Sequence, residues 1–177
     1  MFKIGIIGKG VLGTAIFDFF NEKNSEVIVY DKYKKIGLFT DVLNCDILFL
    51  CLPTLFNEDT KTYDTNEINI ICKLLSEHNF NNIIILKSTV VPGTTCNLNK
   101  KYNLDIIHNP EFLSEVTASE DFKNQNHIVL GSSENQKLEK CVNFYKYYFK
   151  DAEISLMCST ESELMKIAVN NFYSSKL

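Results

Sequence analysis

Lys3-Ile-Gly-Ile-Ile-Gly-Lys-Gly-Val-Leu-Gly-Thr-Ala-Ile-Phe-Asp-Phe-Phe20 is the stretch that decides the fold of this chain. An apolar run from Ile4 to Ile7 breaks at Gly8-Lys9-Gly10-Val11-Leu12-Gly13 and then takes up a helical period. Strand, glycine turn and helix in that order make a dinucleotide-binding unit. Each glycine has its own task in phosphate recognition. Gly8 permits the tight turn, Gly10 lets the backbone approach a pyrophosphate, and Gly13 lets helix and strand pack closely. The helix N-terminus adds amides and a partial positive charge.

Working outward, Val27-Ile-Val-Tyr30 reads as a second strand that ends at Asp31. An acidic residue there fits a hydrogen bond to both ribose hydroxyls and repels the extra phosphate of NADP, so NAD is the expected cofactor. An ordinary turn role for Asp31 is the plainer alternative, and Lys34 with Lys35 reads as a solvated pair. Asp41 to Asn44 is expected to be a short helical connector. Asp46 to Leu52 is a third strand, apolar on both faces as in a parallel sheet. Pro53 stops it, and Pro53 to Asp64 reads as an irregular loop at the strand edge where such folds bind ligands. Asp64 to His78 has helical spacing (Ile68, Ile71, Cys72, Leu75) behind a cap-like Asp64-x-x-Glu67. Asn82 to Lys87 is strand four, Thr94 to Tyr102 a helix, and Leu104 to His108 strand five. His127 to Leu130 is a further strand, Ser133-x-x-Gln136 a capping box for a helix to about Phe149, and Glu153 to Leu156 a short strand. Thr160-x-x-Glu163 opens a last helix. The alternation predicts an α/β fold, a doubly wound Rossmann-type parallel sheet ending in the start of a long connecting helix.

Composition narrows the partners. A chain of 177 residues holds one domain with a sizeable core. A net charge of -4, with both signs interspersed, gives no footprint for nucleic acid or an anionic membrane, so a small-molecule partner is expected. Six cysteines without C-x-x-C spacing suit reduced thiols in a cytoplasmic setting. No signal-type segment or 18-residue apolar span is present in the sequence, so neither secretion nor membrane insertion is expected.

Three clusters follow strand ends: Cys51-Leu-Pro-Thr54, Lys87-Ser-Thr-Val-Val-Pro-Gly-Thr-Thr95 and Asn109-Pro-Glu-Phe-Leu-Ser-Glu115. Glu111 and Glu115, four apart, share one face if that segment is helical and could together hold a water or a sugar hydroxyl. The same Asn-Pro-Glu is equally a good helix start, with Asn109 as N-cap and Pro110 at the first helical position. In the last helix Glu163, Lys166 and Asn170 fall on one side and Leu164, Ala168 and Phe172 on another. A lysine and an amide four apart suit a developing alkoxide, with a solvated polar face as the alternative. His108 and His127 are read as structural, since neither has metal-ligand spacing.

Taken together, Gly8-x-Gly-x-x-Gly13, Pro53-Thr54, the Lys87 to Thr95 segment, Asn109-Pro-Glu-Phe-Leu-x-Glu115 and Glu163-Leu-Met-Lys-x-x-x-Asn-Asn-Phe172 resemble, in order and spacing, the N-terminal domain of the UDP-glucose/GDP-mannose dehydrogenases. The resemblance covers nearly the whole chain. It implies residues 1–158 as an NAD-binding domain, 159–177 as the start of a central dimer-forming helix, and a nucleotide-sugar domain that these residues lack. The implied reaction is a four-electron oxidation of a nucleotide sugar, a UDP-hexose above all, from the C6 alcohol to the carboxylate with two NAD reduced, a step of polysaccharide biosynthesis. In that scheme Lys166 and Asn170 stabilise charge on the substrate oxygen, and a cysteine thiolate captures the aldehyde as a thioester precursor. Thr89, Glu111 and Glu115 order and activate the hydrolytic water. By the same likeness Gly8, Lys9, Gly10, Val11, Leu12, Gly13, Asp31, Pro53, Thr54, Ser88, Thr89, Val90 and Glu115 face NAD, and Glu111, Phe112, Leu113, Lys166 and Asn170 face the sugar nucleotide.

The pattern departs in places. None of the six cysteines follows a glycine-rich loop of the kind that carries the family's nucleophile, so all are read as packing residues. Ser114 and Val116 stand where a basic residue and a glycine are usual. The expectation is therefore little or no complete turnover by these residues alone, with a second copy or a complementing C-terminal domain as partner. A β-hydroxyacid dehydrogenase, which also places a lysine and an asparagine four apart on a helix, and a non-catalytic nucleotide-binding module are the alternatives.

Overall fold

The computed structural model describes residues 2–114, 116–132 and 137–174. Its elements are β1 (Ile4–Ile7), α1 (Val11–Glu22), β2 (Val27–Tyr30), α2 (Phe39–Val42), β3 (Ile47–Leu50), β4 (Phe56–Asn57), β5 (Thr62–Tyr63), α3 (Asn66–Glu77), β6 (Ile83–Leu86), α4 (Thr94–Tyr102), β7 (Asp105–His108), α5 (Ala118–Lys123), β8 (His127–Gly131), α6 (Leu138–Tyr148), β9 (Glu153–Met157) and α7 (Ser159–Ser174). Seven strands form one sheet in the order β2-β1-β3-β6-β7-β8-β9. The first five in that row are parallel neighbours, β1 lying between β2 and β3 in register Ile4 to Val27 and Ile4 to Ile47. β8 runs antiparallel to β7, touching it at His108 and Gly131, and β9 is parallel to β8. The sheet is thus mostly parallel, with the last two strands reversed. That reversal is invisible to periodicity, because strand direction depends on the crossover and not on the strand.

Alternation along each strand divides the core in two. Ile4, Ile6, Ile47, Phe49, Ile83, Ile85 and Ile107 face α1, α5 and α6, while Ile7, Leu48, Leu50, Ile84, Leu86 and Ile106 face α2, α3 and α4. Covering both faces is what makes these strands continuous apolar runs. The first layer is largely aromatic. Phe19 stacks on Phe149 with ring centroids 4.7 Å apart, and Phe20 meets Phe122, Phe144 and Tyr148 edge-on or tilted. Each such pair adds roughly 0.5–1.5 kcal/mol beyond the area it buries.

Several local readings are corrected. Residues 53–64 contain a small antiparallel hairpin, β4 with β5, closed by Phe56 against Tyr63. α3 begins at Asn66, and Asp64 takes the Asn66 amide at 2.9 Å instead of closing a box with Glu67. The residues after Asn109 are not helical; the helix there, α5, starts only at Ala118. Asn109 cannot cap because its side chain is buried and its amide group is already committed to Lys87, Tyr145 and Val129. Glu163 does not reach back to its own helix start. It caps α4 instead, accepting from the amides of Gly93 and Thr95 and from the Thr95 hydroxyl at 2.6 Å. The Ser133 to Gln136 box lies outside the described residues. Among the described residues, no helix is long and apolar enough to cross a membrane.

Candidate cofactor and active site

β1 leads through α1 to β2 on one side of the sheet, whereas β3 leads through α3 to β6 on the other. The chain therefore diverges between the C-terminal ends of β1 and β3, where an open α/β sheet has its crevice. A cleft of about 560 Å³ occupies that place, within the usual range for a small-molecule site. One wall is Gly8, Gly10, Val11 and Leu12 with the Asp31 to Lys34 loop; the opposite wall is Leu52, Pro53 and Thr54 with Glu67, Ile70, Ile71 and Leu74 of α3. Cys51, Lys87, Ser88, Thr89 and Glu111 form the far end.

The glycine turn is built for close approach. Gly8 has φ of +95°, which a side chain would strain, and a Cβ there would lie 2.4 Å from the Cys51 carbonyl oxygen. A Cβ on Gly13 would come within 1.9 Å of the Gly8 carbonyl oxygen, so α1 can rest on β1 only without one. At Gly10 nothing lies within 4 Å of the same position, and that open space belongs to the cleft. Gly10 also N-caps α1 without a side-chain bond, leaving the first amides of the helix turned toward the cleft for an anionic ligand. These features fit a pyrophosphate.

Asp31 is buried at the mouth of this turn. Its carboxylate accepts the amides of Lys9 at 2.7 Å, Tyr33 at 3.0 Å and Lys34 at 2.8 Å. Burial is the largest effect and pushes the acid up, but the three amides and the Lys34 charge outweigh it and hold Asp31 below the usual carboxylate value. It is therefore a fixed anion with acceptor capacity left over, as a ribose diol requires. Lys34 turns its ammonium to the Lys9 carbonyl, so it is not purely solvated. Across the cleft the Tyr33 hydroxyl reaches Glu67 at 2.7 Å.

At the far end, two bonds tie the loop after β3 to the loop after β6. Ser88 Oγ donates to the Leu52 carbonyl and Thr54 Oγ1 to the Thr89 carbonyl, both at 2.6 Å. Below them Lys87 donates to Asn109 Oδ1 at 2.8 Å, and Glu111 leaves a buried Oε2 without a partner. Burial holds the Glu111 acid above its usual value, the ammonium groups of Lys87 and then Lys166 offsetting only part of that rise. Lys166 donates to the main-chain carbonyl of Glu111 and lies 5.7 Å from the Phe112 ring centroid. Burial lowers Lys166, against the pull of Glu111. The Cys51 thiol beside them is pushed far up, by burial first and then by the Glu111 charge, so it is a protonated packing group and not a thiolate.

Residues 35–149 match the model of the UDP-glucose/GDP-mannose dehydrogenase family, NAD binding domain. The chain belongs to the UDP-glucose/GDP-mannose dehydrogenase family. Its cofactor is NAD. A UDP-glucose 6-dehydrogenase of Haloferax volcanii is 28% identical over 227 residues, covering 99% of this chain and 52% of that protein. The Pseudomonas aeruginosa UDP-glucose 6-dehydrogenase is 26% identical over 146 residues, 76% of this chain and 32% of that one. In fold the chain resembles a GDP-mannose dehydrogenase of Pseudomonas aeruginosa (TM-score 0.82, 22% identity, 98% of this chain, 50% of that one). It also resembles a UDP-glucose dehydrogenase of Pyrobaculum islandicum (TM-score 0.83, 22% identity, 97% and 50%). The chain thus spans about half or less of the length of these relatives.

Of the residues expected to face NAD, Gly8, Gly10, Val11, Leu12, Asp31, Pro53, Thr54, Ser88 and Thr89 line the cleft. Lys9, Gly13 and Val90 do not: Lys9 lays its ammonium 4.0 Å from the Phe17 ring centroid, Gly13 faces the Gly8 carbonyl from within α1, and Val90 packs in the second core layer. Glu111 lines the cleft, and Lys166 is joined to it through the main chain. Asn170 lies one turn further along α7, half-buried. Phe112 is exposed and Leu113 packs partly into the first core layer. Glu115 lies outside the described residues. The expected division of α7 is inverted: Glu163 and Lys166 are buried, whereas Leu164 and Phe172 are more than half exposed. Sequence reasoning passed over Tyr33, Glu67, Ile70, Ile71 and Leu74, which wall the cleft. The i, i+3, i+4 spacing of Glu67, Ile70 and Ile71 was the available signal. Among the described residues, no group of three histidine, cysteine, aspartate or glutamate side chains could hold a metal ion.

Proposed function

We propose that this chain is the cofactor-binding half of a nucleotide-sugar 6-dehydrogenase, acting on a UDP-hexose. In this reading residues 1–158 form the NAD domain, and the helix that starts at Ser159 leads to a domain carrying the sugar-nucleotide base site and the thiol. A second copy or that complementing domain is the partner, and a reducing cytoplasmic setting suits the six free thiols. The observation that carries the reading is a single cleft with a phosphate turn and a fixed anion at one end and Glu111 backed by Lys166 at the other.

When bound, NAD supplies the hydride acceptor. Gly8, Gly10 and the first turn of α1 hold the pyrophosphate and Asp31 the adenosine ribose. Ser88 and Thr89, fixed through Leu52 and Thr54, line the nicotinamide end. Lys166 and Asn170 face the substrate oxygen, where an ammonium stabilises the negative charge that develops as the carbinol proton leaves. Glu111, which lines the cleft and has one buried oxygen without a hydrogen-bond partner, accepts a proton from water or hydroxyl. Thr89 positions that water, and Phe112 and Leu113 lie along the sugar nucleotide.

Amide NMR mapping tests the placement. Adding NAD to the labelled chain is expected to move Gly8, Gly10, Val11, Ser88 and Thr89 and to leave the far edge around Tyr147 unmoved. Shifts confined elsewhere would refute it.

A further inference from the structure

Lys87 stands directly after β6 at the floor of the cleft, and only 3% of it is exposed. Burying an ammonium costs several kcal/mol unless an opposite charge and hydrogen bonds compensate it. Its hydrogen-bond acceptor among the described residues is a neutral one, Asn109 Oδ1 at 2.8 Å. Asn109 is itself immobilised, since Oδ1 also takes the Tyr145 hydroxyl at 2.6 Å and Nδ2 donates to the Val129 carbonyl at 2.7 Å. The ammonium is thus clamped from β7, β8 and α6, none of which needs a ligand to be in place.

A neutral amide does not balance a buried cation. Lys87 makes no ion pair within 4 Å among the described residues; the carboxylate that lines the same cleft end is that of Glu111, which has a buried oxygen with no hydrogen-bond donor of its own. Lys166 is placed differently, with its Nζ on the main-chain carbonyl of Glu111 and near the Phe112 ring. The Lys166 ammonium is thus engaged by the main chain, and Lys87 is the other ammonium at this end of the cleft.

We infer that Lys87, held by Asn109 which Tyr145 in turn fixes, is the positioning residue that gives Glu111 its counter-charge, favouring an ionised carboxylate at the cleft end and leaving the Lys166 ammonium to the substrate oxygen. The functional half of this inference rests on the proposed role of Glu111 as base. The charges that act on Glu111 are Lys87 from the end of β6 and Lys166 from α7, and Glu111 in turn acts on the Cys51 thiol at the end of β3. His108 of β7 in turn feels both lysines. Cys51 and His108 are neutral at pH 7, the thiol pushed up and the imidazole pushed down to about 3, which leaves the two lysines, each itself lowered by burial and raised in part by Glu111. Of these, Lys87 pulls the Glu111 acid down more strongly than Lys166 does.

The test is the titration of the Glu111 carboxyl carbon by 13C NMR in the 177-residue chain, assigned with Glu111→Gln. Lys87→Met is expected to raise the midpoint by about one pH unit or more, the scale of one close opposite charge. Lys166→Met is expected to raise it less, and Lys87→Arg to return it toward wild type. An unmoved or lowered midpoint in Lys87→Met, or a larger rise in Lys166→Met, would overturn the inference. Should Lys87→Met not fold, the reciprocal measurement decides, because the coupling is mutual. Glu111→Gln, made at a half-buried loop position, is expected to lower the titration of the Lys87 ammonium, and an unmoved Lys87 overturns the pairing. NAD titration on the same samples separates the two levels. A chain that shows the coupling but binds no NAD sinks the proposed function and leaves the Lys87 to Glu111 pairing standing.

Discussion

His108 makes the stability of this domain sensitive to mild acid. The imidazole is fully buried at the end of β7, with Nδ1 2.8 Å from Ser162 Oγ and Nε2 without a partner. Burial first, then the Lys87 charge, pushes it from 6.5 down to about 3. Above pH 6.5 the ring is neutral in both folded and unfolded chains and contributes nothing to pH dependence. Below 6.5 the unfolded chain takes up a proton that the folded one refuses, so stability falls as pH falls, until the folded pKa near 3 is reached. The slope is roughly 1.4 kcal/mol per pH unit, which amounts to roughly 2–3 kcal/mol between pH 6.5 and 4.5. Other groups act in the same range. Asp31, held low, also loses stability on acidification, whereas Glu111 and Glu163, both held high by burial, oppose that trend. Comparison with His108→Gln, which does not titrate, removes them. Urea unfolding of both proteins from pH 7.5 to 4.5 should show the wild type losing about 2–3 kcal/mol relative to the variant over that window. Parallel curves would mean that the ring charges inside the fold and would refute the burial argument.

Gly13→Ala should lower the melting temperature and abolish NAD binding together, because the added methyl would lie 1.9 Å from a main-chain oxygen that cannot turn aside; normal NAD affinity in a thermal and calorimetric comparison would contradict this. Glu163→Gln should cost about 1–3 kcal/mol in urea unfolding. It meets three donors at the start of α4 with an amide that has only one acceptor oxygen, and hydrogen exchange should rise first in α4. Incubated with UDP-glucose and NAD, these 177 residues alone should form no UDP-glucuronate, and product in a chromatographic assay would show that the thiol can come from within them.

The sequence was most legible where one physical requirement fixes one residue type. The glycine turn is such a place: Gly8 needs positive φ, Gly13 needs the absence of a side chain, and the structure shows both demands. The five apolar strands up to His108 were legible for the same reason, since burial on both faces leaves only apolar runs. Where two local chemistries compete, reading along the chain failed. Asn109-Pro-Glu has the composition of a helix start, yet Asn109 is drawn inward by partners 20 to 36 residues away. Glu163 looks like the second half of a capping box and serves a helix 68 to 70 residues earlier. In α7 the polar side is the buried one, because it packs on α4 and the end of β7, and the exposed Leu164 and Phe172 give no local sign of that. Glu111 and Lys166 stood out by spacing and took their roles from the family likeness, but their joining through a main-chain carbonyl is a tertiary fact. Lys87 was quoted as part of a motif; its hold by Asn109, which Tyr145 in turn fixes, depends on α6 and β8, which no spacing near Lys87 announces.

Asp31 and the glycine turn are expected to bind NAD and to discriminate against an additional ribose phosphate. Calorimetric titration of the wild-type chain with NAD and with NADP tests it most directly. One-to-one binding of NAD is expected, with NADP weaker by at least about tenfold, a difference of about 1.4 kcal/mol. Equal affinity for the two, or no binding of NAD, would contradict it.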